Sequence, residues 1–115
     1  MKKVALFAFN GEFMCFIHVL LNALDMSEKG FDVKVIIEGS ATKVIPELSK
    51  EGNPMFKFYK KAREKNLIEG ACRACSNKMG VLKVIEQEGI CLLDDMSGHP
   101  GMSEYINSGY QVITL

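Results

Sequence analysis

The spacing of apolar residues changes several times along the chain, and each change marks the start of a different element. Residues 3–9 form a continuous apolar run of strand length, which is typical of a strand buried on both faces of a sheet. Beyond the Asn10-Gly11 break, apolar side chains recur every three or four residues as far as Gly30, which predicts an amphipathic helix. The stripe consists of Phe13, Phe16, Ile17, Leu20, Leu21 and Leu24.

The other side of this first helix is also poor in polar residues. It carries Met14, Cys15, His18, Val19 and Ala23. A helix that is apolar nearly all round needs cover on both sides, so we expect a second subunit to pack on it.

The alternation of strand and helix continues to the end of the chain. We predict four more strands, at 32–39, 67–72, 90–96 and 109–115, and helices at 40–50, 55–66, 76–89 and 99–108. Crossovers of this length join parallel strands. The pattern therefore predicts one domain over 1–115 with a three-layer α/β/α architecture and a five-stranded, mainly parallel sheet.

Composition limits the classes of partner. The chain has 115 residues, 48% of them apolar, and 14 basic against 14 acidic side chains. With no net charge, nothing favours direct binding to nucleic acid or to an anionic membrane. Polar Asn10 and Glu12 interrupt the N-terminal apolar run, so we expect neither a signal peptide nor a membrane span. We therefore expect a cytoplasmic protein.

Two of the four cysteines form a CxxC motif, Cys72-Arg73-Ala74-Cys75, at the end of the predicted third strand. In a reducing compartment such a pair is more often catalytic or metal-binding than a structural disulfide. Parallel sheets bind ligands beyond the carboxyl ends of their strands, where the strand order reverses. We expect the motif to lie at that edge, although an inert buried pair is a further interpretation.

A metal site is one interpretation of the motif. Structural zinc needs four ligands, and beyond the pair the chain offers only Cys15, Cys91, His18 and the more favourably placed His99. We assign no metal and no cofactor on this pattern. Cys91 is predicted to be a small core residue, because it lies within an apolar strand.

Thiol chemistry is the other interpretation. A thioredoxin-type dithiol also follows a strand and opens a helix, with cations such as Arg73 and Lys78 favouring the thiolate, but the aromatic-Cys-Gly-Pro-Cys sequence is absent. A persulfide carrier needs one reachable thiolate, which the end of a strand beside a helix N-terminus supplies. Cys72 would carry the sulfur, and Cys75 would resolve it as a disulfide or simply pack.

Two loops at the same edge complete the predicted site. Asn10 and Glu12 follow the first strand and are expected to wall a pocket, although Glu12 also suits the first turn of a helix. Residues 94–101 contain Ser97 and His99 and could gate access. The Gly and Pro content of that loop equally suits an ordinary turn.

The chain resembles the DsrE/DsrF-like family of small α/β sulfur-relay proteins over nearly its whole length. The resemblance rests on "VALFAF", "ALDMSEKGFDVKVIIEG", "CRACSNKMGV" and "SGYQVITL". In the central piece the cysteine eight residues before Gly80, which is Cys72, occupies the sulfur-accepting position. Met79 stands where members often have a basic residue.

The resemblance implies a flavodoxin-like or DsrEFH-like fold and a homo-oligomer built from trimers. It also implies sulfurtransferase-like activity, with a persulfide on Cys72 that passes from a donor protein to an acceptor protein. The alternatives are a non-catalytic oligomeric binding or assembly module that uses the first helix, a thiol-redox protein, and a metal-binding CxxC protein.

Overall fold

A five-stranded sheet, with all its strands parallel, forms the centre of the protein. The structure is a computed structural model that describes residues 1–115. The strands are β1 (Lys3–Ala8), β2 (Asp32–Ile37), β3 (Ile68–Cys72), β4 (Leu92–Leu93) and β5 (Gln111–Thr114). They lie in the order β4-β3-β2-β1-β5.

Six α-helices and one 3-10 segment connect the strands. The helices are α1 (Phe13–Glu28), α2 (Ile45–Leu48), α3 (Phe56–Glu64), α4 (Arg73–Lys78), α5 (Leu82–Gln87) and α6 (Ser103–Asn107), and the 3-10 segment is Gly39–Val44. None of these helices is both long enough and apolar enough to cross a membrane.

The strand order places the reversal of the sheet between β1 and β5. From β1 the chain steps outward through β2 and β3 to β4, and β5 then returns to the opposite side of β1. Cys72 ends β3, two strands away from β1. The motif therefore lies at the carboxyl edge, as predicted, and two strands away from β1, beside which the strand order reverses.

The two faces of the sheet are covered unequally. Val4, Leu6 and Ala8 of β1 belong to a core cluster of 23 buried residues that includes side chains of α1, α2, α3 and α5. Ala5 and Phe7 point to the opposite face. There they form a smaller buried cluster with Ile36, which packs against side chains that include Tyr105 of α6. Side chains alternate across a strand, so β1 supplies both cores. The three-layer architecture is confirmed.

Helix α1 is rotated about its axis relative to the predicted stripe. Val19 and Ala23, assigned to the outer side, are buried, whereas Leu21 is 37% exposed. The helix packs on the sheet and on α3. This packing covers Val19 and Ala23 on the side for which we expected a second subunit, whereas Met14, Cys15 and His18 remain exposed.

The segment after the CxxC motif differs from its prediction in two ways. The single helix expected at 76–89 is divided into α4 and α5, because Gly80 lies between them with a φ of +74°, a left-handed conformation that favours glycine. The buried strand expected at 90–96 is reduced to the two residues of β4, and Cys91 is exposed. The prediction that Cys91 is a core residue was therefore wrong.

Candidate functional site at the carboxyl end of β3

Cys72 joins β3 to α4 and caps the helix with its own sulfur. It is the last residue of the strand and the N-cap of α4, with extended backbone. Its Sγ accepts a hydrogen bond from the Cys75 backbone N–H at 3.3 Å. The helical turn that begins at Arg73 therefore brings the second cysteine of the motif back over the first.

The loop between β4 and α6 brings His99 to the two sulfurs. The Ala74 N–H donates to the Gly98 carbonyl at 2.9 Å, and Met96 and His99 exchange two backbone hydrogen bonds across a tight turn. As a result, His99 Nδ1 lies 3.1 Å from Cys72 Sγ and 3.6 Å from Cys75 Sγ. Both thiols are within reach of one imidazole nitrogen.

The two cysteines differ in burial. Cys72 is fully buried, with 0% of its surface exposed, whereas Cys75 and His99 are partly exposed. Burial raises the pKa of the Cys72 thiol to about 12, against the lowering effect of the Cys75 N–H. The expectation that a donor thiol can reach Cys72 directly was wrong, because the Cys72 side chain has no exposed surface, and its raised pKa favours the neutral thiol over the thiolate near neutral pH.

The two cations predicted to hold a thiolate do not contact either sulfur. Arg73 Nε donates to Asp94 Oδ2 at 2.8 Å, in a pair whose side chains are about half exposed. This contact ties α4 to the loop that carries His99. The Lys78 side chain is exposed and forms no hydrogen bond or ion pair.

Ser97 belongs to the turn that holds His99 and is itself exposed. It adopts a φ of +51° and is followed by Gly98 at +90°. A Cβ on Gly98 would approach the Ala74 Cβ at 3.3 Å, so the turn can lie close against α4 because residue 98 is glycine. Ser97 thus shapes the turn that holds His99 through its backbone conformation.

Asn10 and Glu12 lie at a different part of the sheet edge. The Glu12 carboxylate accepts the Cys15 N–H at 2.8 Å and so caps α1, and Asn10 Oδ1 accepts the Glu12 N–H at 2.8 Å. Asn10 lines a groove of about 330 Å³ with Cys15, His18 and two apolar residues, one of them Leu115, which follows β5. This groove lies at the reversal between β1 and β5, and the structure does not bring Asn10 and Glu12 to the CxxC motif.

Glu38 is a site residue that the sequence pattern did not predict. Ile37 pairs with Ala71 in the sheet, and the extended backbone at Glu38 carries the register one step further, to Cys72. The two side chains therefore project from the same face of the sheet. Glu38 is only 6% exposed, its carboxyl group makes no hydrogen bond, and burial raises its pKa to about 7. The sequence did contain a signal for this residue, because Glu38 is a charged residue at the end of an apolar strand that reaches this edge.

Ser76 is a second buried polar residue beside the motif. Its Oγ is the one buried side-chain oxygen or nitrogen that lacks a hydrogen-bond partner. It lies on α4 directly after Cys75, and its serine identity in "CSNKMG" gives no hint of burial.

Convergence of three donor atoms is the main chemical property of this site. Cys72, Cys75 and His99 place their ligand atoms within 4.8 Å of one another, and no other group of three or more His, Cys, Asp or Glu residues in 1–115 does so. Two thiols beside an imidazole can exchange protons and act as nucleophiles. The same atoms form a soft donor set for a metal ion. We call these three residues the sulfur cluster.

The fold of the chain is similar to that of a solved structure. The protein of unknown function BT1422 from Bacteroides thetaiotaomicron matches with a TM-score of 0.70, covering 99% of this chain and 95% of that one. The two sequences are 17% identical, so the likeness concerns the fold alone.

Two archaeal sequences are similar to this chain, whereas no family model matches it. An uncharacterized protein of Archaeoglobus fulgidus is 46% identical over 59 residues, which are 51% of this chain and 95% of that protein. The uncharacterized protein MJ0733 of Methanocaldococcus jannaschii is 32% identical over 98 residues, which are 85% of this chain and 78% of that protein. Because this identity extends over most of both proteins, the chain belongs to the same family as the Methanocaldococcus jannaschii protein.

Proposed function

We propose that the protein is a sulfurtransferase-like carrier of sulfane sulfur, of the DsrE/DsrF-like kind, which holds a persulfide on Cys72 and passes it to an acceptor protein. One observation carries the proposal. A fully buried thiol lies behind a partly exposed thiol, and both sulfurs are within reach of His99 Nδ1, at 3.1 and 3.6 Å. This arrangement provides an entrance, an inner storage position and a proton acceptor.

Cys75 is the entrance, because it is the more exposed member of the pair. A donor persulfide, R–S–SH, transfers its outer sulfur to Cys75 and leaves as R–SH. His99 takes the Cys75 thiol proton at Nδ1 and returns it to the departing thiolate. The products are Cys75–S–SH and R–SH, and the step needs no oxidant or reductant.

Cys72 then receives the sulfur within the cluster. Its thiol attacks the terminal sulfur of Cys75–S–SH and loses its proton to His99 Nδ1, 3.1 Å away. The products are Cys72–S–SH and a Cys75 thiolate, which recovers the proton as Cys75–SH. Because Cys72 is fully buried, its persulfide is shielded from thiols and other nucleophiles in solution.

The proposal also covers the cellular compartment, the partner proteins and the oligomeric state. All four cysteines are free, as expected for a protein of a reducing compartment such as the cytoplasm. Its partners are a sulfur donor and an acceptor protein. The exposed apolar residues Phe9, Met14, Leu21 and Leu115 support assembly into a homo-oligomer, for which the family resemblance suggests a trimer.

Intact-mass spectrometry tests the proposal. The starting protein carries Cys15→Ser and Cys91→Ser, because these exposed thiols would react without specificity. After incubation with a persulfide donor, the reduced protein gains the mass of one sulfur atom, and cyanide removes it as thiocyanate. A folded, reduced protein that gains no sulfur would overturn the proposal.

Two further variants on the same background separate the roles of the cysteines. Adding Cys75→Ser slows loading at least about tenfold, because the donor then has to reach the buried Cys72. Adding Cys72→Ser leaves loading fast, but cyanide strips the sulfur at least about tenfold faster, because the sulfur stays on the partly exposed Cys75. Circular dichroism checks that both variants fold. Equal rates in all three proteins would contradict the entrance and storage roles.

A further inference from the structure

The sulfur cluster has the shape of a metal site as well as that of a thiol site. We propose that Cys72, Cys75 and His99 bind one Zn²⁺ per chain in the reduced protein. This role does not depend on sulfur carriage, and the structure adds to the sequence pattern the convergence of the CxxC pair with His99.

The distances between the donor atoms fit a tetrahedral ion. Zinc binds thiolate sulfur at about 2.3 Å and imidazole nitrogen at about 2.0–2.1 Å, so tetrahedral ligands lie about 3.5–3.8 Å apart. His99 Nδ1 lies 3.1 Å from Cys72 Sγ and 3.6 Å from Cys75 Sγ, and all three atoms lie within 4.8 Å. The 3.6 Å separation lies within this range, and the 3.1 Å separation has to widen by a few tenths of an ångström to reach it.

The backbone holds the ligands in place before any ion is bound. Cys72 and Cys75 are tied together by the N–H···S bond at the start of α4. The Ala74 to Gly98 hydrogen bond and the Met96–His99 turn fix the loop against that helix. A preformed arrangement lowers the entropy lost when the ion binds.

The donor types select the class of ion. Two sulfurs and one imidazole nitrogen form a soft set that suits Zn²⁺ and excludes the oxygen-preferring Mg²⁺ and Ca²⁺. The Cys75 N–H that points at Cys72 Sγ stabilises a thiolate ligand. Three protein ligands leave the fourth position of a tetrahedral ion for a water molecule.

Metal binding has a consequence for the same thiols. A bound ion keeps both sulfurs as thiolate ligands, so they are unavailable to a sulfane-sulfur donor. We therefore expect the zinc-loaded protein to resist persulfide formation. Removal of the metal with a chelator should restore persulfide formation.

Cobalt titration of the reduced, metal-free full chain tests the site. Co²⁺ reports tetrahedral thiolate coordination through sulfur-to-metal charge transfer and intense visible d–d bands, and Zn²⁺ displaces it. We expect saturation at one ion per chain. Absence of the charge-transfer band at saturating Co²⁺ overturns the proposal.

Matched variants locate the ligands. Cys75→Ser and His99→Gln each weaken Zn²⁺ binding at least about 100-fold in competition with a chromophoric chelator. The Cys15→Ser/Cys91→Ser double variant and His18→Gln keep the wild-type affinity within about twofold, because those residues lie outside the cluster. Both ligand variants alter partly exposed residues, and circular dichroism confirms that they fold. Binding that survives both ligand variants, or that is lost in the control variants, overturns the assignment.

The metal and sulfur proposals fail in different ways. A protein that gains one sulfur atom but shows no cobalt–thiolate band overturns only the zinc site. A protein that binds one Zn²⁺ but gains no sulfur after metal removal overturns only sulfur carriage.

Discussion

Two regions of the protein combine cysteine and histidine, and they differ in burial and in how many donor atoms converge. Cys15 and His18 lie one helical turn apart on α1 and line an open groove beside β5. The sulfur cluster joins residues 24 and 27 positions apart, at the end of β3 and in the loop after β4. Only the second grouping brings three donor atoms within 4.8 Å and buries one of them completely.

The difference shows what turns reactive residue types into a site. Neighbouring positions on a helix place two side chains on one face, but the groove beside α1 has no third donor that converges with them. At the carboxyl edge of a parallel sheet, strand ends and loops from separate parts of the chain meet. There the cluster gains a buried thiol, a second thiol and an imidazole.

Alkylation should reveal the largest difference between the two regions. The exposed Cys15 and Cys91 should react with iodoacetamide at least about 100-fold faster than Cys72, because Cys72 is buried and burial raises its pKa to about 12. Peptide mass spectrometry over a time course measures each rate. Labelling of Cys72 at the rate of Cys91 would show that the cluster is open to solvent.

Glu38→Gln should change the pH dependence of stability. The folded-state pKa of Glu38, about 7, lies above its ordinary value of 4.5, so the unfolded chain releases this proton first as pH rises. The stability contributed by the protonated carboxyl is therefore full below about pH 4.5 and is lost as pH approaches 7. At pH 8 the free energy of unfolding of the variant should be about 1–3 kcal/mol higher than that of the wild type, so the variant is more stable. At pH 4 the two should differ little.

Urea denaturation of both proteins at the two pH values measures this difference. Asp25→Asn, on the exposed surface of α1, is the control and should show no comparable pH trend. A Glu38→Gln difference that stays constant between pH 4 and pH 8 would contradict the raised pKa.

Gly70→Ala should loosen the sulfur cluster and leave the α1 groove intact. A Cβ at this position would lie 2.6 Å from the Cys91 carbonyl oxygen and 2.7 Å from Leu93 Cγ, so β4 would have to move away from β3. We expect a loss of about 1–3 kcal/mol in unfolding free energy, together with faster alkylation of Cys72. Gly52→Ala, which meets nothing within 4 Å, is the matched control. Unchanged Cys72 reactivity in Gly70→Ala would show that β4 does not support the cluster.

Arg73→Gln should have the smallest effect. The Arg73–Asp94 pair is about half exposed, and surface pairs contribute about 0–1 kcal/mol. Because Arg73 points to Asp94 and not to a sulfur, the alkylation rate of Cys72 should stay within about twofold of wild type. An alkylation rate of Cys72 more than tenfold below that of the wild type would instead support the prediction that Arg73 stabilises the thiolate.

Several features of the site could be predicted from local pattern. The apolar run before Cys72 predicted β3 and its end, and the motif was correctly predicted to follow a strand and precede a helix. The parallel sheet followed from the alternation of strands and helices. These predictions succeeded because strand length and helical spacing are local properties of a sequence.

The roles of Arg73 and Cys91 could not be predicted in the same way. Arg73 turns toward Asp94, and Cys91 is exposed because β4 is only two residues long. Both outcomes depend on how the last third of the chain packs at the edge of the sheet. Pairing across 21 residues, as between Arg73 and Asp94, leaves no periodic signal.

The sequence by itself determined the order of elements, the parallel sheet and the location of Cys72 at a strand end, since these follow from chain-local periodicity. Only the tertiary structure decided that His99 and not His18 joins the thiols, that Glu38 lies beside Cys72, and that Cys72 is the buried member of the pair. The reason is physical: register between strands and the path of a loop are set by packing between distant segments, and burial is a property of the whole fold.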